Sequence, residues 1–146
     1  MLSMQSFSPL YTYEDCARVL DNKRCFKNAL EAYQVLRIIR GVTNTKGWRN
    51  HPVTLMWAKY PNSYVEYALC FTTEWLKRGY KTTLDTKLKQ LYNHQESTIK
   101  PDWWDIEEFH SSHRQTLLSK DINYYSKFGW REQPKYEYWW PTQHGY

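Results

Sequence analysis

Glycine serves mainly as a stop signal in this chain, and that limits what it can fold into. Three of its five glycines, Gly41, Gly79 and Gly129, close the runs Leu36-Arg37-Ile38-Ile39-Arg40, Leu76-Lys77-Arg78 and Ser126-Lys127-Phe128. A cation in the last turn and a glycine just beyond it are what a helix C-terminus favours, since the cation meets the negative end of the dipole and glycine adopts the left-handed cap. The starts are also legible. Thr12 with Asp15 three residues on reads as an N-cap. Asn50 precedes Pro52 near a first helical position, and Asn62 or Ser63 opens the next run. Between Asp21 and Arg40 the apolar positions 26, 29, 30, 33 and 36 follow a helical period. From Ser63 to Arg78, Tyr67, Phe71 and Trp75 fall at i, i+4 and i+8 and predict a core-facing stripe. Further helices are expected over Thr83–Gln95, Ile106–Ser119 and Asp121–Phe128. No alternating run exceeds about four residues, so strands are not expected. The predicted fold is all-α, a compact single helical domain over 1–146 with an extended aromatic tail over 130–146.

Composition supports that reading. Eight Trp, 13 Tyr and five Phe among 146 residues supply a large core and exclude a disordered chain. A domain of this length buries roughly 68–70% of its unfolded surface without staples. Cys16, Cys25 and Cys70 have no paired spacing, so they read as inert thiols in a reducing compartment, with Cys70 in the core. No apolar stretch approaches the ~20 residues of a membrane span. The N-terminus lacks the basic and apolar regions of a signal peptide. A cytoplasmic location away from membranes is the expectation.

The net charge of +5 is unevenly spread. Residues 1–60 contain nine basic and four acidic side chains, whereas residues 100–146 contain six and seven. Basic groups neutralise phosphates and aromatic faces stack on bases, so a basic half beside an aromatic half suits a nucleic-acid partner. On the basic helix Arg24, Lys27 and Glu31 share a face. A carboxylate flanked by cations suits stabilising a developing positive charge, although an ordinary i,i+4 ion pair has the same spacing. Arg18, Lys23 and Arg49 are further candidates for phosphate contact. His51 precedes Pro52 at a helix start, where backbone N–H groups favour anions. His110 and His113, three apart and followed by Arg114 and Lys120, read as phosphate donors. They lack the further ligand that a zinc site needs, so no metal is expected. The absence of a glycine-rich phosphate loop gives no reason to expect a nucleotide cofactor.

Several segments in order resemble the pyrimidine-dimer DNA glycosylases, the family of the small phage endonuclease V. They are Ala17-Arg18-Val19-Leu20-Asp21-Asn22-Lys23-Arg24, Leu30-Glu31-Ala32-Tyr33-Gln34-Val35-Leu36, Gly47-Trp48-Arg49-Asn50-His51-Pro52 and Glu74-Trp75-Leu76-Lys77-Arg78-Gly79-Tyr80. Phe109-His110-Ser111-Ser112-His113-Arg114, Leu117-Leu118-Ser119-Lys120 and Trp139-Trp140-Pro141 are similar to a little-studied bacterial and viral branch. The resemblance implies a monomer acting on damaged or modified double-stranded DNA without a cofactor. A nucleotide is flipped out, an N-terminal α-amine attacks the sugar C1′ and displaces the base, and β-elimination through the Schiff base cuts the strand. Two positions depart from the pattern. The motif-like start Met4-Gln5-Ser6-Phe7 lies three residues inside the chain, behind Met1-Leu2. Asn28 stands where the family's catalytic glutamate aligns, with Glu31 a turn later. The expected reacting face is therefore Arg24, Lys27, Asn28 and Glu31. The alternatives are a non-catalytic nucleic-acid-binding module and a base-modification enzyme unrelated to repair.

Overall fold

The computed structural model describes residues 6–43 and 46–146. Along them run α1 (Tyr13–Val19), α2 (Asn22–Ile39), α3 (Lys46–Arg49), α4 (Pro52–Trp57), α5 (Pro61–Lys77), α6 (Leu84–Lys89), α7 (Glu107–Lys120) and α8 (Ile122–Tyr125), with 3₁₀ turns at Ser126–Phe128 and Pro141–His144. The described residues contain no strand, and the fold is all-α. No described helix is long and apolar enough to cross a membrane.

Local chemistry sets the helix ends. Thr12 Oγ1 accepts the Asp15 N–H at 3.0 Å and caps α1. At the end of α2, Gly41 has a φ of 73°; its N–H donates to Ile38 O, and Val42 N–H donates to Arg37 O. The same paired bonds recur after α5 around Gly79, whose φ is 94°. Both are left-handed glycine caps that satisfy carbonyls the helix leaves open. Two starts differ from the sequence reading: Tyr60 rather than Asn62 or Ser63 precedes α5, and His51 rather than Asn50 caps α4.

The central pair is α2 against α5. Small residues on α2, namely Cys25, Ala29 and Ala32, face Tyr64, Tyr67 and Phe71 of α5, and all are fully buried. The small side chains make room for the rings. Trp57 stacks on Tyr64 at 4.3 Å and meets Trp103 edge-on at 5.0 Å, while Tyr13 meets Trp104 at 4.7 Å. Trp103 and Trp104, on the approach to α7, are thus core residues whose indole N–H groups donate to Met56 O and Tyr11 O.

Two side chains expected in the core sit at its margin. Trp75 is half-buried and stacks on Tyr80 at 4.1 Å, and Cys70 is also half-buried. The helix expected over Thr83–Gln95 ends at Lys89. The tail from residue 130 is largely extended and closes with the 3₁₀ turn at Pro141. It lies along α7, where Lys135 N–H donates to Gln115 O and Thr116 Oγ1 donates to Glu137 O.

Candidate active site

The cleft begins with the period of α2. Positions 24, 27, 28 and 31 recur at i, i+3, i+4 and i+7, so they share one helix face. Together with Phe7, Lys23 and Lys120 they line a cleft of about 150 Å³. Its one carboxylate belongs to Glu31, whose side chain is only 8% exposed. Lys27 Nζ lies 3.8 Å from Glu31 Oε1, and the lysine side chain remains 54% exposed. Arg24 is held by Asp21 at 3.2 Å, and the Lys120 ammonium sits over the Tyr136 ring at 4.5 Å. One nearly buried carboxylate therefore lies among four cationic side chains. Burial pushes the Tyr64 and Tyr138 hydroxyls far above the usual phenol range, with the charge on Glu31 adding to the shift. Both phenols stay protonated.

Asn28, expected on the reacting face, uses its amide differently. Its Oδ1 accepts the Phe7 N–H at 2.8 Å, and its Nδ2 donates to Phe7 O at 3.3 Å and Tyr67 Oη at 2.5 Å. Tyr67 Oη donates in turn to Phe7 O at 2.6 Å. Asn28 thus anchors the N-terminal segment. It lines the cleft with both amide donors already committed.

The pair His110 and His113 corrects the sequence reading most sharply. Both are fully buried, with no surface to offer a phosphate. Ser8 N–H donates to His113 Nδ1 at 2.9 Å, which places that ring's proton on Nε2. The two ring nitrogens of His110 face Ser8 O at 2.7 Å and Trp104 O at 2.5 Å. Arg114 is also buried: it donates to Pro9 O at 2.8 Å and pairs with Glu107 at 3.1 Å and Glu132 at 2.8 Å. Those carboxylates hold the Arg114 guanidinium firmly charged despite its burial. These three residues of α7 clamp Ser8 and Pro9, and Asn28 of α2 clamps Phe7. The segment Ser6–Pro9 is thereby fixed in the interior at the edge of the cleft.

The remaining expected contacts lie apart from the cleft lining. Arg18 pairs with Asp15 and lines a separate groove with Glu14, Cys70 and Lys77. Arg49 is exposed at the end of α3. His51 Nδ1 accepts the Val53 N–H at 3.1 Å, so the side chain takes the helix-start N–H that sequence reading left for an anion. Burial lowers the His51 pKa, and its ring lies 6.0 Å from Trp140. The Cys16 and Cys25 thiols are likewise pushed up by burial, Cys25 to about 11, as inert cysteines require. Among the described residues no group of His, Cys, Asp and Glu is arranged to hold a metal ion.

Phe7 is the cleft-lining residue that sequence reasoning did not select; Tyr67, expected in the core, is buried there and hydrogen-bonds to Phe7 O and Asn28. The start motif Met4-Gln5-Ser6-Phe7 carried the only signal for Phe7; the first two of these residues lie outside the described structure.

A family model described as pyrimidine dimer DNA glycosylase matches residues 4–88, more than half of the chain. That stretch contains every cleft residue except Lys120. No curated protein and no solved structure matches the chain.

Proposed function

The chain belongs to the pyrimidine dimer DNA glycosylase family, and from that premise we propose that it excises damaged or modified pyrimidines from double-stranded DNA at the Glu31 cleft. One observation carries the reading: the nearly buried Glu31 carboxylate lies among Lys23, Arg24, Lys27 and Lys120. Cations around a cleft hold the phosphates on either side of a nucleotide, and a fixed carboxylate between them stabilises positive charge as the glycosidic bond breaks. Extrusion of the nucleotide from the duplex brings its sugar to that carboxylate. An amine attacking C1′ then gives a Schiff base, through which β-elimination nicks the strand. The protein acts as a monomer and without a cofactor.

The test uses duplexes carrying a cyclobutane pyrimidine dimer or an abasic site. The wild-type protein nicks them, and Glu31→Gln lowers the nicking rate by about 10²–10⁴-fold, the range for a positioned proton-transfer or charge-stabilising group. DNA affinity stays within a few-fold of wild type. Equal nicking by Glu31→Gln sinks the role of the carboxylate. The commitment of Asn28 to Phe7 favours a second reading, a non-catalytic DNA-binding module on the same scaffold. In that case neither duplex is nicked, and binding falls steeply with salt.

A further inference from the structure

Resting on the reading above, in which a nucleotide is extruded into the Glu31 cleft, we infer that the groove between α2 and α3 is a second base subsite. There Trp48 stacks on the base next to the extruded nucleotide in the same strand. The groove has a volume of about 240 Å³ and is lined by Gln34, Arg37, Ile38, Thr43 and Trp48. It continues the cleft along one helix face. Lys27, Glu31, Gln34 and Ile38 recur at i, i+4, i+7 and i+11, so the face that carries the carboxylate also carries the groove. Gln34 and Ile38 stand three and seven residues beyond Glu31. That is about 5–10 Å farther along the axis, at ~1.5 Å per residue. Stacked neighbours in a strand are only about 3.4 Å apart, so a base in the groove has itself left the stack beside the nucleotide in the cleft.

The lining has the chemistry that a nucleobase needs. Trp48 is half-buried, and its carbonyl accepts from Thr54 Oγ1 at 2.7 Å and from the His51 N–H at 3.2 Å. Its ring lies 6.2 Å from that of His51, which meets Trp140 edge-on at 6.0 Å. An aromatic ring already held in place stacks a base at little further ordering cost. On the α2 side of the groove the exposed Gln34 amide can both donate to and accept from a base edge. The Arg37 guanidinium is steadied over the Tyr33 ring at 5.7 Å and brings positive charge to the adjoining phosphate. Extrusion of a nucleotide strips its neighbour of a stacking partner, and the indole replaces the partner that is lost.

The test measures the affinity of the full-length protein for duplexes carrying a tetrahydrofuran abasic analogue, which cannot undergo β-elimination. Two further duplexes also lack the base on its 5′ or its 3′ side, and a fourth lacks the base opposite. Wild-type protein should lose about 5–100-fold in affinity when one of the two flanking bases is removed, the range of a single base–aromatic stack. Trp48→Leu, which keeps an apolar side chain against the core, should bind the parent duplex that much more weakly. Removing the same base should then cost it nothing further, because ring and base act as one contact. Gln34→Ala, at an exposed position, should show a smaller loss with the same dependence on that base. Equal penalties for base removal in wild-type protein and Trp48→Leu overturn the subsite, as does a Trp48-dependent penalty confined to the opposite base. Should Trp48→Leu fail to fold, Gln34→Ala decides alone, and a penalty equal to that of wild-type protein overturns the subsite. In each of these cases a wild-type preference for the abasic duplex over an undamaged one leaves the glycosylase reading standing. Equal wild-type affinity for abasic and undamaged duplexes overturns both.

Discussion

His113 has one tautomer because Ser8 N–H occupies its Nδ1, and its other nitrogen lies among the rings of Phe7, Phe109 and Tyr138. Burial, reinforced by the nearby His110 and Arg114, drives its pKa down to about 3. An unfolded histidine titrates near 6.5. Between those values the unfolded chain holds a proton that the native ring refuses, so this contribution to stability is complete above pH 6.5 and is lost as pH falls toward 3. The loss amounts to about 1.4 kcal/mol per pH unit for one proton. His113→Asn keeps an acceptor for Ser8 N–H but cannot titrate. Urea unfolding across pH 3.5–6.5 should show a shallower slope for the variant by about that one-proton amount, even though its packing defect lowers stability throughout. Parallel slopes would show that His113 is not the group responsible. The His-x-x-His spacing was visible in the sequence, but its orientation was not. Phe109-His110-Ser111-Ser112-His113-Arg114 has too few apolar residues to mark an inner face, so polar groups that look solvent-facing can turn inward wherever backbone groups await partners.

At the scale of the element, α2 joins core and cleft. Cys25, Ala29, Ala32 and Leu36 pack inward, Lys23 and Lys27 face the cleft from outside, and Asn28 and Glu31 lie at the boundary. Its location and both ends were legible, because apolar period, basic last turn and glycine stop agree. The end of α6 was not legible, because tertiary hydrogen bonds compete with the helix there. Asn62 accepts from Asn93 N–H at 2.9 Å and donates to Asn93 O at 2.7 Å, while Arg40 Nε donates to Leu91 O at 2.9 Å. These partners bend the chain away after Lys89. Asn28 is the same kind of feature within α2, where a buried side chain binds backbone remote in sequence. Asn28→Ala leaves Phe7 N–H without its acceptor and should cost about 1–3 kcal/mol in denaturant unfolding, the cost of one stranded buried group. It should also raise the exchange rate of the Phe7 amide hydrogen relative to that of the α5 core. Asn28→Glu, which puts a carboxylate at this position, should be destabilising too and gain no activity, because its carboxylate cannot donate to Phe7 O. A rise in nicking by Asn28→Glu would instead show that the cleft accommodates a second reacting carboxylate at this position.

Over the whole molecule the two parts of the chain do different work on one site. The family stretch, residues 4–88, supplies α2 and nearly all of the cleft. Beyond it, α7 locks Ser8 and Pro9 from behind, and the tail lays Tyr138 against Phe7 and His113 and Trp140 against His51. The aromatic tail is therefore a packing element behind the cleft wall. Charge follows the same division, since the excess of cations lies in the first 60 residues. That distribution makes a footprint prediction. Each phosphate released from its counterions by a protein cation steepens the fall of log K with log salt by about 0.9. Lys23→Gln and Lys120→Gln each remove a cation from the cleft lining and should flatten that slope by about this amount. Their affinities should converge on wild type at high salt. Arg18→Gln should leave the slope unchanged, because Arg18 is paired with Asp15 over a different groove. The measurement is fluorescence anisotropy of a labelled abasic duplex over a series of salt concentrations. If Arg18→Gln flattens the slope as much as Lys23→Gln does, the DNA extends across α1 and the cleft is one end of the footprint rather than its centre.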